Sequence, residues 1–267
     1  MSTPTTPLIE VEKLEAWYGR RRILHDVDFS VNAGEIRVIM GGSGSGKSTM
    51  LRHLLGLHKP RGGNIRLLGV DIAKASPREL LDVRRKIGVS FQGGALLTSM
   101  TVGENVALPL REHTTLDEHT IRIMSRLKLE VVNLGGFQEL MPSQLSGGMI
   151  KRAALARAIV MDPKLLFFDE PSAGLDPVVS AELDELILRL RDALRMTIVV
   201  VTHELDSAFK IADTITVLDE GSILMTGTVA EVRAAPNERI QNLLNRRPRE
   251  IVIDADAYLR RLTEERA

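Results

Sequence analysis

The feature that most constrains the fold is a glycine-rich loop at residues 41–48, which fits the pattern G-x-x-x-x-G-K-[ST]. An apolar run that predicts a strand, residues 35–40, leads directly into the loop, and residues 48–57 follow with helical spacing. Glycines let backbone N–H groups converge on phosphate oxygens, and the start of a helix adds the positive end of its dipole. The loop therefore predicts an α/β protein with a nucleotide-phosphate site.

Two side chains of this loop carry specific chemistry. Lys47 is predicted to reach the β- and γ-phosphates, and the Ser48 hydroxyl is predicted to ligate Mg²⁺. A flexible glycine turn is the alternative, and the flanking strand and helix argue against it. The predicted phosphate-binding residues are Gly41, Gly42, Ser43, Gly44, Ser45, Gly46, Lys47, Ser48 and Thr49.

Two acids end a second apolar run, residues 165–170. Carboxylates at the carboxyl end of a parallel strand lie where nucleotides bind in open α/β sheets. Asp169 is suited to hold Mg²⁺, and Glu170 to orient and polarise an attacking water. A surface acidic pair is the alternative, which the phosphate loop makes the weaker interpretation.

Three further residues are ambiguous when taken alone. His203 directly follows the predicted strand 197–201, and Gln92 ends the predicted strand 87–91, where structural or capping roles are equally open. Tyr18 could stack on an adenine ring, but its surroundings favour an aromatic side chain packed on a small sheet.

The segment Leu145-Ser146-Gly147-Gly148-Met149 predicts a second phosphate-binding helix start in the same chain. One nucleotide does not obviously need two such sites. Their presence hints at an active site that is shared between two chains.

The rest of the chain predicts one interrupted α/β core. Residues 8–31 indicate a small antiparallel unit, and strands alternating with helices indicate a mostly parallel sheet covered on both faces. Residues 93–160 carry helical patterns only. We therefore expect a disordered arm at 1–7, a core at 8–92 and 161–245, a helical subdomain at 93–160 and a docking tail at 246–267.

Individual elements can be placed approximately. Further strands are predicted at 63–72, 165–168, 197–201 and 215–218, and helices at 77–86, 115–127, 148–160, 178–194 and 205–212.

Composition excludes several classes of protein. The chain has no cysteine, which rules out disulfides and thiolate zinc sites. Basic and acidic residues number 35 each, and the resulting net charge of +0 argues against a nucleic-acid-binding surface. The longest apolar runs are far shorter than the ~20 residues of a membrane span, and the first residues do not predict a signal peptide.

Taken in order, these motifs resemble the ATP-binding subunits of ABC transporters over nearly the whole chain. The resemblance implies a P-loop NTPase with a RecA-like mixed or parallel sheet core, an N-terminal antiparallel β-subdomain and an inserted helical subdomain. It also implies ATP and Mg²⁺ as ligands and ATP hydrolysis coupled to transport as the activity.

The same resemblance implies a role for each matching residue. Tyr18 matches the aromatic that stacks on adenine, and Asp176 matches the aspartate of the D-loop. The catalytic residues implied are Lys47, Gln92, Glu170 and His203, and the metal ligands implied are Ser48, Gln92 and Asp169.

Ser146, Gly147 and Gly148 match the family's signature, which closes over ATP bound to the opposite subunit of a homodimer. Met149 departs from the signature's usual glutamine. That departure puts a direct role for the side chain of residue 149 in doubt.

A closer resemblance is to the branch that moves phospholipids between membranes, the Mla (maintenance of lipid asymmetry) systems of Gram-negative bacteria. It rests on residues 91–96, 109–113, 145–149, 167–178 and 202–206. It implies a homodimer on the cytoplasmic face of the inner membrane, with an integral permease, a small regulatory subunit and a periplasmic lipid-binding subunit. The tail at 246–267 is then expected to dock on the neighbouring ATPase or the regulatory subunit, a solvated end being the alternative.

Two other functions stay open. A related ATPase could serve another cargo, such as amino acids, metal chelates or lipoproteins. An ABC-type ATPase acting on nucleic acid or ribosomes is the more remote alternative, because the chain has one ATPase domain, no sustained heptads and zero net charge.

Overall fold

The computed structural model describes residues 7–247. The predicted arm and the predicted docking tail lie outside the described residues, except for Pro7, Arg246 and Arg247. Within residues 7–247, no helix is long and apolar enough to cross a membrane.

Strands and helices alternate along most of the chain. The strands are β1 (Pro7–Tyr18), β2 (Arg21–Asn32), β3 (Ile36–Met40), β4 (Gly62–Leu67), β5 (Val70–Asp71), β6 (Ile87–Ser90), β7 (Leu165–Asp169), β8 (Thr197–Thr202), β9 (Thr214–Asp219) and β10 (Ser222–Gly227). The helices are α1 (Lys47–Leu54), α2 (Pro77–Arg84), α3 (Val102–His113), α4 (Glu118–Val131), α5 (Gly147–Ala158), α6 (Pro177–Leu194), α7 (Leu205–Ile211), α8 (Val229–Ala234) and α9 (Glu238–Leu244), with a 3-10 turn at Pro142–Gln144.

The strands form two sheets. The small sheet has the order β2-β1-β4-β5 and is antiparallel, as residues 8–31 predict. The large sheet has the order β10-β9-β3-β8-β7-β6, in which β9, β3, β8, β7 and β6 are parallel and β10 joins the edge antiparallel to β9. The predicted α/β architecture with a mixed, mostly parallel sheet is confirmed.

Both faces of the large sheet are buried. All five residues of β3 are buried, with Val38 and Met40 in the hydrophobic cluster beneath the helices and Ile39 in the cluster beneath the small sheet. Successive side chains of a strand point to opposite faces, so a strand that is apolar at four of its five positions suits cover on both sides.

The parallel register brings functional residues to one edge of the large sheet. Met40 pairs with Thr202, and Asp169 pairs with Val201, so β3, β7 and β8 end side by side. The phosphate loop, the acidic pair and His203 each follow one of these strands.

Some boundaries differ from the sequence-based expectation. The helix predicted at 115–127 spans Glu118–Val131, because the Asp117 side chain accepts hydrogen bonds from the backbone N–H groups of His119 and Thr120 and caps the helix there. The sequence patterns also assigned no elements between residues 219 and 248, where the structure has β10, α8 and α9.

Candidate active site

The loop between β3 and α1 has a backbone shape that only glycine fits at two positions. Gly46 precedes α1 with a φ of 106°, and a Cβ atom there would lie 2.8 Å from the Leu24 side chain. A Cβ atom on Gly41 would lie 2.1 Å from the carbonyl oxygen of Leu218. The loop therefore packs closely against β2 and β9.

Lys47 is held inside this loop. Its Nζ atom donates hydrogen bonds to the carbonyl oxygens of Gly41 at 2.8 Å and Gly42 at 3.0 Å. Burial lowers the pKa of the Lys47 ammonium, and the negative charges of Glu170 and Asp169 oppose that shift. The lysine thus interacts electrostatically with the acidic pair that follows β7.

Glu170 has an unusual backbone and a tightly oriented carboxylate. Its φ is 49°, in the left-handed region that a residue other than glycine rarely occupies. Oε2 accepts hydrogen bonds from Thr202 Oγ1 at 3.1 Å and from the His203 N–H at 3.3 Å. His203 Nδ1 lies 2.9 Å from Oε1, and the Glu170 side chain is only 12% exposed. The residues at the end of β8 therefore fix the orientation of the Glu170 carboxylate.

Asp169 lies beside this carboxylate at the last position of β7. Burial, and then the adjacent charge of Glu170, raise the pKa of the Asp169 carboxyl, against the opposing charges of Arg52, Lys151 and Lys47. A carboxylate in this position is suited to a cation that would offset the two negative charges.

A cleft of about 780 Å³ brings much of the predicted site together. Of the predicted residues it is lined by Gly42, Ser43, Gly44, Lys47, Ser48, Gln92, Glu170 and His203. The sequence patterns did not predict the contribution of Arg246 and Arg247, which line the same cleft after α9.

The remaining predicted residues do not line this cleft. Tyr18 ends β1 with its side chain 81% exposed, so the expectation that it packs on the small sheet is wrong. Ser146 caps α5 by accepting a hydrogen bond from the Met149 N–H at 3.3 Å, and Asp176 caps α6 through the N–H groups of Val178 and Val179 at 3.0 Å. Ser146 and Asp176 thus begin helices of the same chain without lining the cleft of the phosphate loop.

Two residues at the site escaped the sequence patterns. Thr202 orients Glu170, and its position next to His203 is a signal that could have indicated it. Lys151, on α5, donates to the carbonyl oxygens of Gln92 and, at 3.2 Å, of Glu170. No sequence signal indicates this lysine, because its partners lie 59 and 19 residues away.

A phosphate loop after β3, with two carboxylates at the end of β7, which β8 separates from β3 in the same sheet, defines a P-loop nucleoside-triphosphatase. A family model described as ABC transporter matches residues 24–173, more than half of the chain. The protein belongs to the ABC transporter family, as the order of its motifs predicts.

Two individual relatives are similar to this chain over most of its length. The chain is 43% identical over 237 residues to the intermembrane phospholipid transport system ATP-binding protein MlaF of Haemophilus influenzae, covering 89% of this chain and 90% of that protein. It is 41% identical over 244 residues to the probable ribonucleotide transport ATP-binding protein mkl of Mycobacterium leprae, covering 91% of this chain and 70% of that protein.

A solved structure shares the fold. The dimeric post-hydrolysis state of the ATP-binding cassette MJ0796, bound to ADP and Pi, matches with a TM-score of 0.76 at 31% identity. The match covers 83% of this chain and 98% of that one.

Proposed function

We propose that this chain is the ATP-hydrolysing subunit of an ABC transporter that moves phospholipids between membranes. The observation that carries the proposal is the Glu170 carboxylate, which Thr202 and His203 aim in the same cleft as the phosphate loop. The similarity to MlaF over 89% of the chain supports the phospholipid cargo.

In the proposed reaction, the loop at residues 41–49 binds the ATP phosphates through backbone N–H groups, and Lys47 offsets their negative charge. Glu170 accepts a hydrogen bond from the attacking water and orients it toward the γ-phosphorus. His203 Nδ1 lies 2.9 Å from Oε1 of Glu170 and holds the carboxylate in place, and its ring would then lie near the γ-phosphate of bound ATP. The bond between the γ-phosphorus and the ADP oxygen breaks as the new bond to the water oxygen forms.

The donor set next to the loop fits Mg²⁺. Ser48, Asp169 and Gln92 offer a hydroxyl, a carboxylate and an amide, and Mg²⁺ is usually bound by oxygen atoms from one or two carboxylates, the substrate phosphates and waters. Among residues 7–247 no group of three or more His, Cys, Asp and Glu side chains is placed to hold a metal ion. When bound, the ion supplies positive charge to the β- and γ-phosphate oxygens.

The signature residues act in a second subunit. Ser146, Gly147 and Gly148 lie at the start of α5 and do not line their own chain's cleft, and a helix start is a ready binding site for phosphate. In a homodimer each α5 would then close over the ATP of the other copy. The dimeric form of the MJ0796 cassette supports this arrangement. In the dimer, Asp176 would lie near the shared site, and the exposed Tyr18 ring would stack on adenine.

A permease is expected to dock over residues 92–110. Phe91 and Leu97 expose 38% and 43% of their area at the start of this segment. Beside it lies a groove of about 610 Å³ between α3 and α4, lined by residues that include Glu104, Arg111 and Arg122. The apolar side chains and the charged groove suit a cytoplasmic loop of an integral membrane subunit at the inner membrane.

Leu97→Asp should therefore abolish co-purification of the permease and leave the basal ATPase rate of the isolated subunit unchanged. Leu57→Asp is the matched control, since Leu57 is 52% exposed but lies after α1 on the core. Retention of the permease by Leu97→Asp would place the docking surface elsewhere.

The cargo can be tested by isolating the complex from membranes with a Glu170→Gln subunit, which should bind ATP without hydrolysing it. The expected result is a complex that holds an integral permease and phospholipid, with small regulatory and periplasmic lipid-binding subunits in the same preparation. Phospholipid should also stimulate ATP turnover of the wild-type complex in vesicles. Stimulation by ribonucleotides, amino acids or metal chelates, or co-purified nucleic acid, would overturn the phospholipid assignment.

A further inference from the structure

Lys151 is a buried cation with no role in the reaction proposed above. Its side chain extends from the first turns of α5, the helix that begins with the signature residues, and the residue is only 8% exposed. Nζ donates hydrogen bonds to the carbonyl oxygens of Gln92 and Glu170. One ammonium group thus joins three parts of the site: the signature helix, the end of β6 and the end of β7.

The contact with Glu170 bears on an unfavourable backbone conformation. A φ of 49° costs free energy in a residue with a side chain, so the surrounding structure must impose it. The Glu170 N–H donates to the carbonyl oxygen of Val201 at 2.8 Å, which fixes one side of the residue. Its carbonyl oxygen accepts from Lys151 Nζ at 3.2 Å and from the Ala173 N–H at 3.3 Å, which fixes the other side. These contacts restrain the backbone from which the carboxylate extends, while Thr202 and His203 hold the carboxylate itself.

The positive charge of Lys151 also interacts with the two acids at the end of β7. Burial lowers the pKa of the Lys151 ammonium, and the charges of Asp169 and Glu170 oppose the shift, which places the cation within electrostatic reach of both acids. An uncharged side chain of similar length would keep the volume but lose this attraction.

Arg157 offers an internal comparison on the same helix. It donates to the carbonyl oxygens of Ala95 at 2.8 Å and Gly94 at 2.9 Å, so it also anchors the segment after Gln92 to α5. Within residues 7–247, Arg157 makes no hydrogen bond to Glu170. Lys151 and Arg157 both anchor the segment 92–95, but only Lys151 donates a hydrogen bond to Glu170. Variants of the two residues therefore distinguish anchoring of the segment from positioning of the carboxylate.

We propose that Lys151 is a positioning residue for ATP hydrolysis, which sets the backbone of Glu170 and ties it to Gln92 and to the signature helix. The inference rests on the proposed role of Glu170 in the reaction. Because α5 begins with the residues that close over the ATP of the other subunit, a movement of α5 on closure is transmitted through Lys151 to the carboxylate of its own chain.

The test compares ATP turnover of Lys151→Met and Lys151→Gln with the wild type in the complete transporter complex. A carboxylate displaced by a fraction of an ångström should reduce kcat by about ten- to a hundredfold. The KM for ATP should change by less than about threefold, because the phosphate loop is untouched. Lys151→Arg should recover much of kcat, since guanidinium keeps the charge and can donate to both carbonyl oxygens.

Three further variants make the result decisive. Lys210→Met is the matched control, because Lys210 also donates to a helix carbonyl, that of Ala181 at 3.2 Å, away from the cleft. Arg157→Met should reduce kcat less than Lys151→Met. Glu170→Gln should have almost no turnover.

Wild-type kcat in both Lys151→Met and Lys151→Gln, together with an inactive Glu170→Gln, would overturn this inference and leave the proposed function intact. Equal losses in Lys210→Met and Lys151→Met would show a general effect on folding and would overturn it as well. If Lys151→Met does not fold, kcat of Lys151→Gln decides. Substantial turnover by Glu170→Gln would instead contradict the assignment of Glu170 itself.

Discussion

At the scale of single residues, the candidate site depends on how the structure restrains a few polar groups. The Glu170 carboxylate has three partners at the end of β8: the Thr202 hydroxyl, the His203 N–H and the His203 ring. Thr202 is fully buried, so its hydroxyl has no access to water and its bond to Glu170 is difficult to replace.

Replacing Thr202 by valine should therefore impair the chemical step. Thr202→Val keeps the shape but removes the hydrogen bond to Glu170, and it also removes the acceptor of the Glu204 N–H at 3.0 Å. We expect kcat to fall about tenfold with little change in the KM for ATP. Steady-state ATPase kinetics test this, and Thr202→Ser should stay close to the wild type. A normal rate in Thr202→Val would show that the hydroxyl does not orient the carboxylate.

A second residue-scale prediction concerns the phosphate loop. Gly46→Ala would place a side chain at a φ of 106° and 2.8 Å from Leu24, so we expect a loss of about 1–3 kcal/mol of unfolding free energy and weak ATP binding. Denaturant unfolding and ATP titration measure the two effects. Gly42→Ala is the stability control, because no atom lies within 4 Å of a Cβ added there. Equal stability of the two variants would contradict the argument.

At the scale of elements, helices α5, α6 and α7 pack at positions where small or polar groups meet. A Cβ atom on Gly148 would lie 2.7 Å from the Val179 side chain, so the glycine allows the start of α5 to approach α6. Between α6 and α7, Asp184 is only 4% exposed and accepts a hydrogen bond from the Ser207 hydroxyl. Burial raises the pKa of the Asp184 carboxyl, against the Ser207 hydrogen bond and the charge of Lys210.

This buried carboxyl predicts a pH-dependent effect on stability. The folded protein binds the Asp184 proton more tightly than the unfolded chain, so its contribution to stability is most favourable below the ordinary pKa of 3.8 and is lost as pH rises through the folded pKa. Asp184→Asn keeps an acceptor for Ser207 without the charge. Its unfolding free energy should therefore rise relative to the wild type between acidic and neutral pH.

Denaturant unfolding at several pH values measures this difference. Asp206→Asn makes the same charge change on α7, where the side chain is 97% exposed, and should show a much smaller trend. A difference between Asp184→Asn and the wild type that does not vary with pH would mean that Asp184 does not titrate differently in the folded protein.

At the scale of the whole molecule, each chain of the proposed dimer supplies one half of each of two composite ATP sites: its cleft to one site and its signature to the other. Lys47 and Glu170 line one cleft, while Ser146 begins α5 elsewhere on the same chain. A symmetric dimer would unite each cleft with the signature of the other copy.

Tandem-fused dimers test this arrangement directly. With Lys47→Ala in one copy and Ser146→Arg in the other, one composite site keeps both an intact loop and an intact signature, and turnover should persist. With both changes in the same copy, each composite site carries one damaged half, and turnover should be lost. The fused wild-type dimer is the control, and the opposite pattern of activity would mean that the signature acts within its own chain.

The sequence alone determined those features that depend on local backbone geometry and on the order of motifs. The loop at residues 41–48 needs glycine where the backbone turns, and a strand with an apolar run such as Leu165–Phe168 needs cover on both faces. These requirements act over a few residues, so they are visible in the sequence. The order of the motifs indicated the family.

The tertiary structure decided which distant groups meet. Glu170 and Thr202 are 32 residues apart and make contact because β7 and β8 are parallel neighbours in register. Lys151 reaches Gln92 across 59 residues because α5 packs against β6, and Tyr18 is exposed although its local pattern favours packing. Such contacts depend on how helices and strands pack together. The residues next to each contact in the sequence do not determine that packing.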